Sequence, residues 1–142
     1  MRYYLFQLSE DTVAEVLAHL ESGGDLLSLP FRNHRHEAGP GDQVLLWVQG
    51  RDAFAWGAGQ IDGPEALAHH PMSYREPDRG NGPRPAFPVR FDGFLDRNVH
   101  RSELKEQPAF AEFPFDQANV RNPFELSEDQ YNAIFDRAES DA

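Results

Sequence analysis

The chain has 142 residues, 13 basic and 24 acidic side chains and a formal net charge of −11; that length is one domain's worth and buries roughly two-thirds of its unfolded surface, so 1–142 is expected to fold as a single domain. Cysteine is absent, which excludes disulfides and thiolate metal sites and points to a reducing, cytoplasmic location. No apolar run approaches the ~20 residues of a membrane span, and MRYYLFQLSED lacks the apolar core and cleavage site of a signal peptide, so a soluble protein with no membrane partner is expected.

Tyr3–Leu8 reads as a strand. Ser9 is placed to cap a following helix, in which Val13, Val16, Leu17 and Leu20 fall at i, i+3, i+4 and i+7 with acids on the other face. Ser22-Gly23-Gly24 stops that helix. Residues 25–31 run into the basic loop 32–36, and Gly39-Pro40-Gly41-Asp42 turns the chain into the central stretch, 41–61. There Val44, Leu45, Leu46, Trp47 and Val48 are consecutive apolar residues without the alternation of a strand buried on one face. Both faces must be covered, at the centre of a small closed barrel or beneath packed helices. Gln49-Gly50-Arg51-Asp52 suits a hairpin loop, so residues 43–49 are expected antiparallel to Phe54–Ile61. Gly57 and Gly59 weaken the second strand unless a bulge, a barrel corner or a flat ligand needs the room.

Residues 64–70 read as a helical turn begun near Asp62-Gly63-Pro64. Residues 71–88, with prolines at 71, 77, 83, 85 and 88, are the least ordered stretch by composition. They are too long for a passive connection, which makes them a functional flap or a disordered insertion. Residues 86–91 read as a third strong strand and 97–101 as another, with 102–105 a helical turn that Pro108 ends. Phe110, Phe113 and Phe115 are spaced to bury against the sheet. Ser127 with Gln130 makes a capping box, and Tyr131, Ile134, Phe135 and Ala138 form the apolar stripe of a last helix.

A family resemblance runs along these same elements. Arg32-Asn33-His34-Arg35-His36-Glu37 leads into Pro40-Gly41-Asp42, then Val44, Trp47, Gly59 and Ile61. Further on come Val89-Arg90-Phe91, Leu95, Val99, Arg101, Leu104, Pro108, and Phe124-Glu125-Leu126-Ser127 before Gln130-Tyr131. In order and spacing these resemble the EVE domain, a relative of the PUA and YTH domains, over nearly the whole chain. The resemblance implies an α+β fold, a small mixed β-barrel (PUA-like pseudobarrel) with peripheral helices. It also implies a pocket for modified bases, notably 5-methylcytosine and its hydroxymethyl form in DNA. Two positions depart from it: Leu29 stands where many members have tryptophan, and Phe54 where a glycine is expected.

Catalysis has little sequence backing. His34 and His36 could share one strand face, but the third ligand and fixed second shell of a zinc site are not visible, so no metal is expected. There is no Gly-x-Ser-x-Gly and no phosphate loop, and no cofactor is expected. The aromatics say more. Trp47 and Trp56 flank the connector at similar distances, so the hairpin could bring them together on one side of the sheet to stack on a flipped base; both being core is the other reading. Phe31 is a further candidate for the base pocket, with Phe54, Tyr74 and Phe124 behind it. For the implied base, Asn33 and Asn122, with Asn119, are the amides placed to read its edge, and Arg32, Arg35 and Arg121 are the phosphate contacts.

The charge distribution leaves room for such contacts. Residues 1–31 carry one positive and five negative side chains and residues 125–142 one and six, whereas 32–121 carry eleven and thirteen, a net of only −2. Lys105 is the sole lysine; the arginine bias suits bidentate reading of phosphates and base edges, and equally a genome rich in arginine codons or adaptation to salt. Three functions stand open. One is a non-catalytic reader of a modified base in DNA or RNA. Another is an enzyme acting on a modified nucleotide, with Glu37 or Asp42 as acid or base. The third is a protein-interaction domain with no nucleic-acid ligand.

Overall fold

The computed structural model describes residues 1–30, 38–50, 53–63, 66–68, 84–111 and 124–139. In chain order these form β1 (Tyr3–Leu8), α1 (Glu10–Glu21), β2 (Leu26–Pro30), β3 (Gln43–Val48), β4 (Phe54–Ile61), β5 (Ala66–Ala68) and β6 (Arg84–His100). There follow α2 (Arg101–Leu104), a 3-10 turn (Pro108–Phe110), β7 (Phe124–Leu126) and α3 (Glu128–Glu139). The strands make one mixed sheet in the order β2-β6-β4-β3-β1-β7, with β5 also paired to β6. The described strands do not close into a barrel; the architecture is an α+β pseudobarrel flanked by helices.

The central hairpin is as expected: β3 and β4 are antiparallel, Gln43 opposite Gln60 and Val48 opposite Phe54. On its other side β3 pairs in parallel with β1, from Tyr3 opposite Gln43 to Leu8 opposite Val48. Successive side chains of β1 and β3 point to opposite faces, and both faces are covered. Tyr4, Phe6, Leu8, Val44, Leu46 and Val48 join a first core with Val16 of α1, against which Val13, Leu17 and Leu20 pack. Leu5, Leu45 and Trp47 join a second core with Tyr131, Ile134 and Ala138 of α3. The missing alternation in Val44–Val48 follows from this two-sided cover.

The starts of the two twelve-residue helices, α1 and α3, are chemically defined. Thr12 N–H donates to Ser9 Oγ at 3.2 Å. Gln130 N–H donates to Ser127 Oγ at 3.1 Å while Ser127 N–H donates to Gln130 Oε1 at 2.9 Å, the reciprocal capping box read from the sequence.

Three expectations are corrected. The helical turn at 64–70 is instead, over its described residues, the strand β5, whose Ala66–Ala68 pairs with Ala86, Pro85 and Arg84; edge pairing overrides the weak helical preference of so short a run. The loop expected to reach residue 88 gives way to strand already at Arg84. Pro85 and Pro88 are tolerated because each has one partner strand: Pro85 faces Leu67, Pro88 faces Ser28, and pairing with β4 begins only at Val89. The separate strands expected at 86–91 and 97–101 are one 17-residue strand, β6. Residues 71–83, with the flap expected there, lie outside the described residues, as do Phe113 and Phe115.

β6 is bent, and the bend places the site. Phe87 and Val89 belong to the first core, whereas Leu95 and Val99 belong to the second. In a regular strand these four odd-numbered residues share a face. The register against β4 shifts twice, between Ala58 and Gly59 and between Ala55 and Gly57, so Phe91 and Gly93 take consecutive partners and Phe94 and Val99 flank Trp56. The inserted residues reverse which face the strand presents.

Candidate functional site

The same irregularity acts on the tryptophans. Leu46 lies opposite Gly57 and Trp47 opposite Ala55, so Trp56 is the extra residue of a bulge in β4. Trp47 points into the second core and Trp56 into the first. The expectation that the hairpin brings them together on one side of the sheet is therefore corrected: they lie on opposite faces. Both are 4% exposed. Phe124, a fallback candidate, packs on the second core with Trp47 and away from Trp56.

Around Trp56 the bend in β6 assembles two more rings. The Phe91 centroid is 6.1 Å from that of Trp56, the Phe94 centroid 6.0 Å, and Phe91 meets Phe94 edge-to-face at 5.1 Å and 72°. Phe91 is half-buried against the first core, and Phe94 is 61% exposed. The cluster thus grades from a buried indole to a solvent-facing ring. Sequence reasoning did not single out Phe91 or Phe94 as site residues. Three positions apart, they belong on opposite faces of a regular strand, and only the register shift unites them.

The Trp56 indole N–H is buried and has no acceptor among the described residues. A buried donor left unmatched costs about 1–3 kcal/mol, and native structures hold few. The room at the neighbouring glycines is taken by protein. A Cβ on Gly57 would come 2.9 Å from Phe91 Cε1, and one on Gly59 would come 2.5 Å from the Arg90 carbonyl oxygen. Of the uses foreseen for these glycines, a bulge is seen beside them, whereas the room itself is taken by β6 and the Phe91 ring, a use that was not foreseen. Leu29, where the resemblance expected tryptophan, is fully buried in the first core. Phe54, where it expected glycine, packs on that core and against the His100 ring at 5.2 Å.

Phe31, Arg32, Asn33, His34, Arg35, His36, Glu37, Tyr74, Asn119, Arg121 and Asn122 lie outside the described residues. Asp42, the other acid considered for chemistry, is structural: its Oδ1 accepts from Arg2 N–H at 3.0 Å and its Oδ2 from Gly39 N–H at 2.9 Å. Both carboxylate oxygens are occupied in tying the chain's start to the turn before β3.

Four of the described arginines face carboxylates. Arg2 pairs with Glu125 at 3.3 Å and Arg90 with Asp62 at 3.0 Å. Arg97 and Arg137 converge on Glu103 at 2.6 and 2.8 Å. The Arg97 guanidinium, helped by His100 N–H and Arg137 and opposed by burial, holds the Glu103 carboxyl down at about 2. Burial, with the nearby Asp92 charge, pushes the Tyr131 phenol up to about 12.

No family model matches the sequence, and no curated protein matches it. Solved structures do. Human THYN1, in a complex with DNA containing 5-methylcytosine, superposes with a TM-score of 0.74 at 12% identity over 100% of both chains. Rpa0253 from Rhodopseudomonas palustris matches with a TM-score of 0.66 at 16% identity over 97% of this chain and 93% of its own. The YTH domain of the Zygosaccharomyces rouxii MRB1 protein, in complex with N6-methyladenosine RNA, gives 0.59 at 19% identity over 97% of this chain and 86% of that one. At such identities the likeness is one of fold. Together with the mixed sheet and its flanking helices, it gives this chain the fold shared by human THYN1 and the YTH domain.

Proposed function

We propose that this protein is a non-catalytic reader of modified nucleobases, of the 5-methylcytosine or 5-hydroxymethylcytosine type, which accepts a base flipped out of its strand. The observation that carries the reading is Trp56: a buried indole with an unmatched N–H, in a cluster of three rings that opens to solvent at Phe94. Aromatic faces hold a flipped base by stacking, an apolar contact senses a methyl group at its edge, and a buried donor is suited to an acceptor on that edge. The fold supports this reading, since two structures that share it were solved with methylated DNA and methylated RNA. Arg32, Arg35 and Arg121 are the proposed phosphate contacts, with Phe31, Asn33 and Asn122 completing the pocket. Trp47 is removed from it and assigned to the core beneath α3.

The enzymatic alternative loses support at Asp42, whose oxygens are committed to backbone N–H groups. An oligonucleotide panel identical except for one cytosine, plain, methylated or hydroxymethylated, as DNA and as RNA, tests the reading when binding and turnover are followed together. The expected result is tighter binding to a modified form with the oligonucleotide recovered unchanged. Equal binding to all forms, or conversion of the base, would contradict it.

A further inference from the structure

We propose that Phe94 is a second stacking surface, which takes the face of the base adjacent to the one served by Trp56, so that two consecutive nucleotides of one strand are held. This rests on the nucleic-acid reading of the same site and adds the residue that grips the neighbouring nucleotide.

Three large hydrophobic side chains are exposed among the described residues, Met1, Leu26 and Phe94, and Phe94 is the aromatic one. Its ring is presented rather than loose, because the edge-to-face contact with Phe91 and the tilted contact with Trp56 fix its plane. A ring already held in place gives up little conformational entropy when a flat partner lands on it.

The charges on this face favour a base over a phosphate. Leu95 and Val99 point into the second core and Arg97 toward Glu103, which by alternation leaves Asp96 and Asn98, both exposed, on the side of Phe94. A carboxylate there repels the backbone, while a base presents a π-face that stacks whatever its sequence. Phe94 therefore contributes affinity without discriminating the modification and without changing the number of phosphates neutralised.

The test uses the full chain and a labelled DNA oligonucleotide with one 5-methylcytosine, single-stranded and duplex, either intact or with an abasic residue on the 5′ or the 3′ side of the modified base. F94A is expected to bind the intact oligonucleotide roughly 5- to 150-fold more weakly, the worth of one stacked base. Its methylated-to-plain ratio and salt slope should stay as in the wild type. F94W should restore binding and F94L should not. An abasic residue on one of the two sides should weaken the wild type to the same degree and leave F94A unaffected. Unchanged binding by F94A, an equal loss by F94A on intact and abasic strands, or a change only in self-association would overturn the proposal. A wild type that discriminates the methyl group but shows no coupling to the abasic side removes Phe94 and keeps the reader. Coupling without discrimination removes the modified-base reading and keeps Phe94. A wild type that binds no oligonucleotide removes both.

Discussion

Trp47 and Trp56 do not differ in burial; they differ in what they touch. Trp47 sits among the aliphatic and aromatic side chains beneath α3, where a smaller ring leaves a void in a close-packed core. Trp47→Phe should cost about 1–2 kcal/mol of stability, less than the full loss of a buried tryptophan, and leave base preference unaltered; denaturant unfolding beside an oligonucleotide titration checks both. The sequence showed two tryptophans flanking a turn, and symmetry about that turn put them on one face. The register does otherwise: Trp47 lies opposite Ala55, so the next residue, Trp56, falls on the other face, and no local pattern in Phe54-Ala55-Trp56-Gly57 announces that register. The glycines did announce that something needed room, and the Phe91 ring and the Arg90 carbonyl supply the reason.

At the level of elements, strong periodicity and cap chemistry were legible. The run Val44–Val48, the stripe Val13, Val16, Leu17 and Leu20, and the Ser127–Gln130 box each name their element, because side-chain spacing and backbone N–H satisfaction are local matters. The parallel pairing of β1 with β3, the three-residue strands β5 and β7, and the continuity of β6 were not, since each depends on a partner distant in sequence. The junction of β6, α2 and α3 rests on Glu103 between Arg97 and Arg137. A carboxyl held at about 2 rather than 4.5 contributes stability that is fully present above pH 4.5 and is lost as the pH falls toward 2. Glu103→Gln should therefore destabilise the protein by roughly 1–2 kcal/mol at neutral pH, a figure discounted for the partial exposure of the arginines. The gap to the wild type should close as the pH is lowered from 4.5 to 2. Urea unfolding at a series of pH values measures it, and a gap that stays constant with pH would show that the ion pairs do not set it.

For the molecule as a whole, the net charge of −11 coexists with a fold shared by proteins solved on nucleic acid. Charge sets how such a protein binds more than whether it does. Arg2, Arg90, Arg97 and Arg137 are engaged with carboxylates, and the proposed phosphate contacts are three, Arg32, Arg35 and Arg121. The log of the binding constant should fall against the log of salt concentration with a slope of only about −2 to −4. A slope several times steeper would mean that the basic loops act as a broad phosphate-binding surface. On the proposed reading, affinity comes from the aromatic surface and specificity from the indole of Trp56.

Trp56→Phe isolates that assignment. The substitution keeps a ring and removes an N–H unmatched among the described residues, whose burial costs about 1–3 kcal/mol and offsets the packing lost with the larger indole, so the melting temperature should change little. The decisive quantity is the ratio of affinities for methylated and plain cytosine, measured side by side for the wild type and Trp56→Phe on otherwise identical oligonucleotides. The wild type should prefer the modified base, and the variant should lose most of that preference while remaining folded. A wild-type preference that Trp56→Phe retains in full would contradict the assignment of Trp56 to the base.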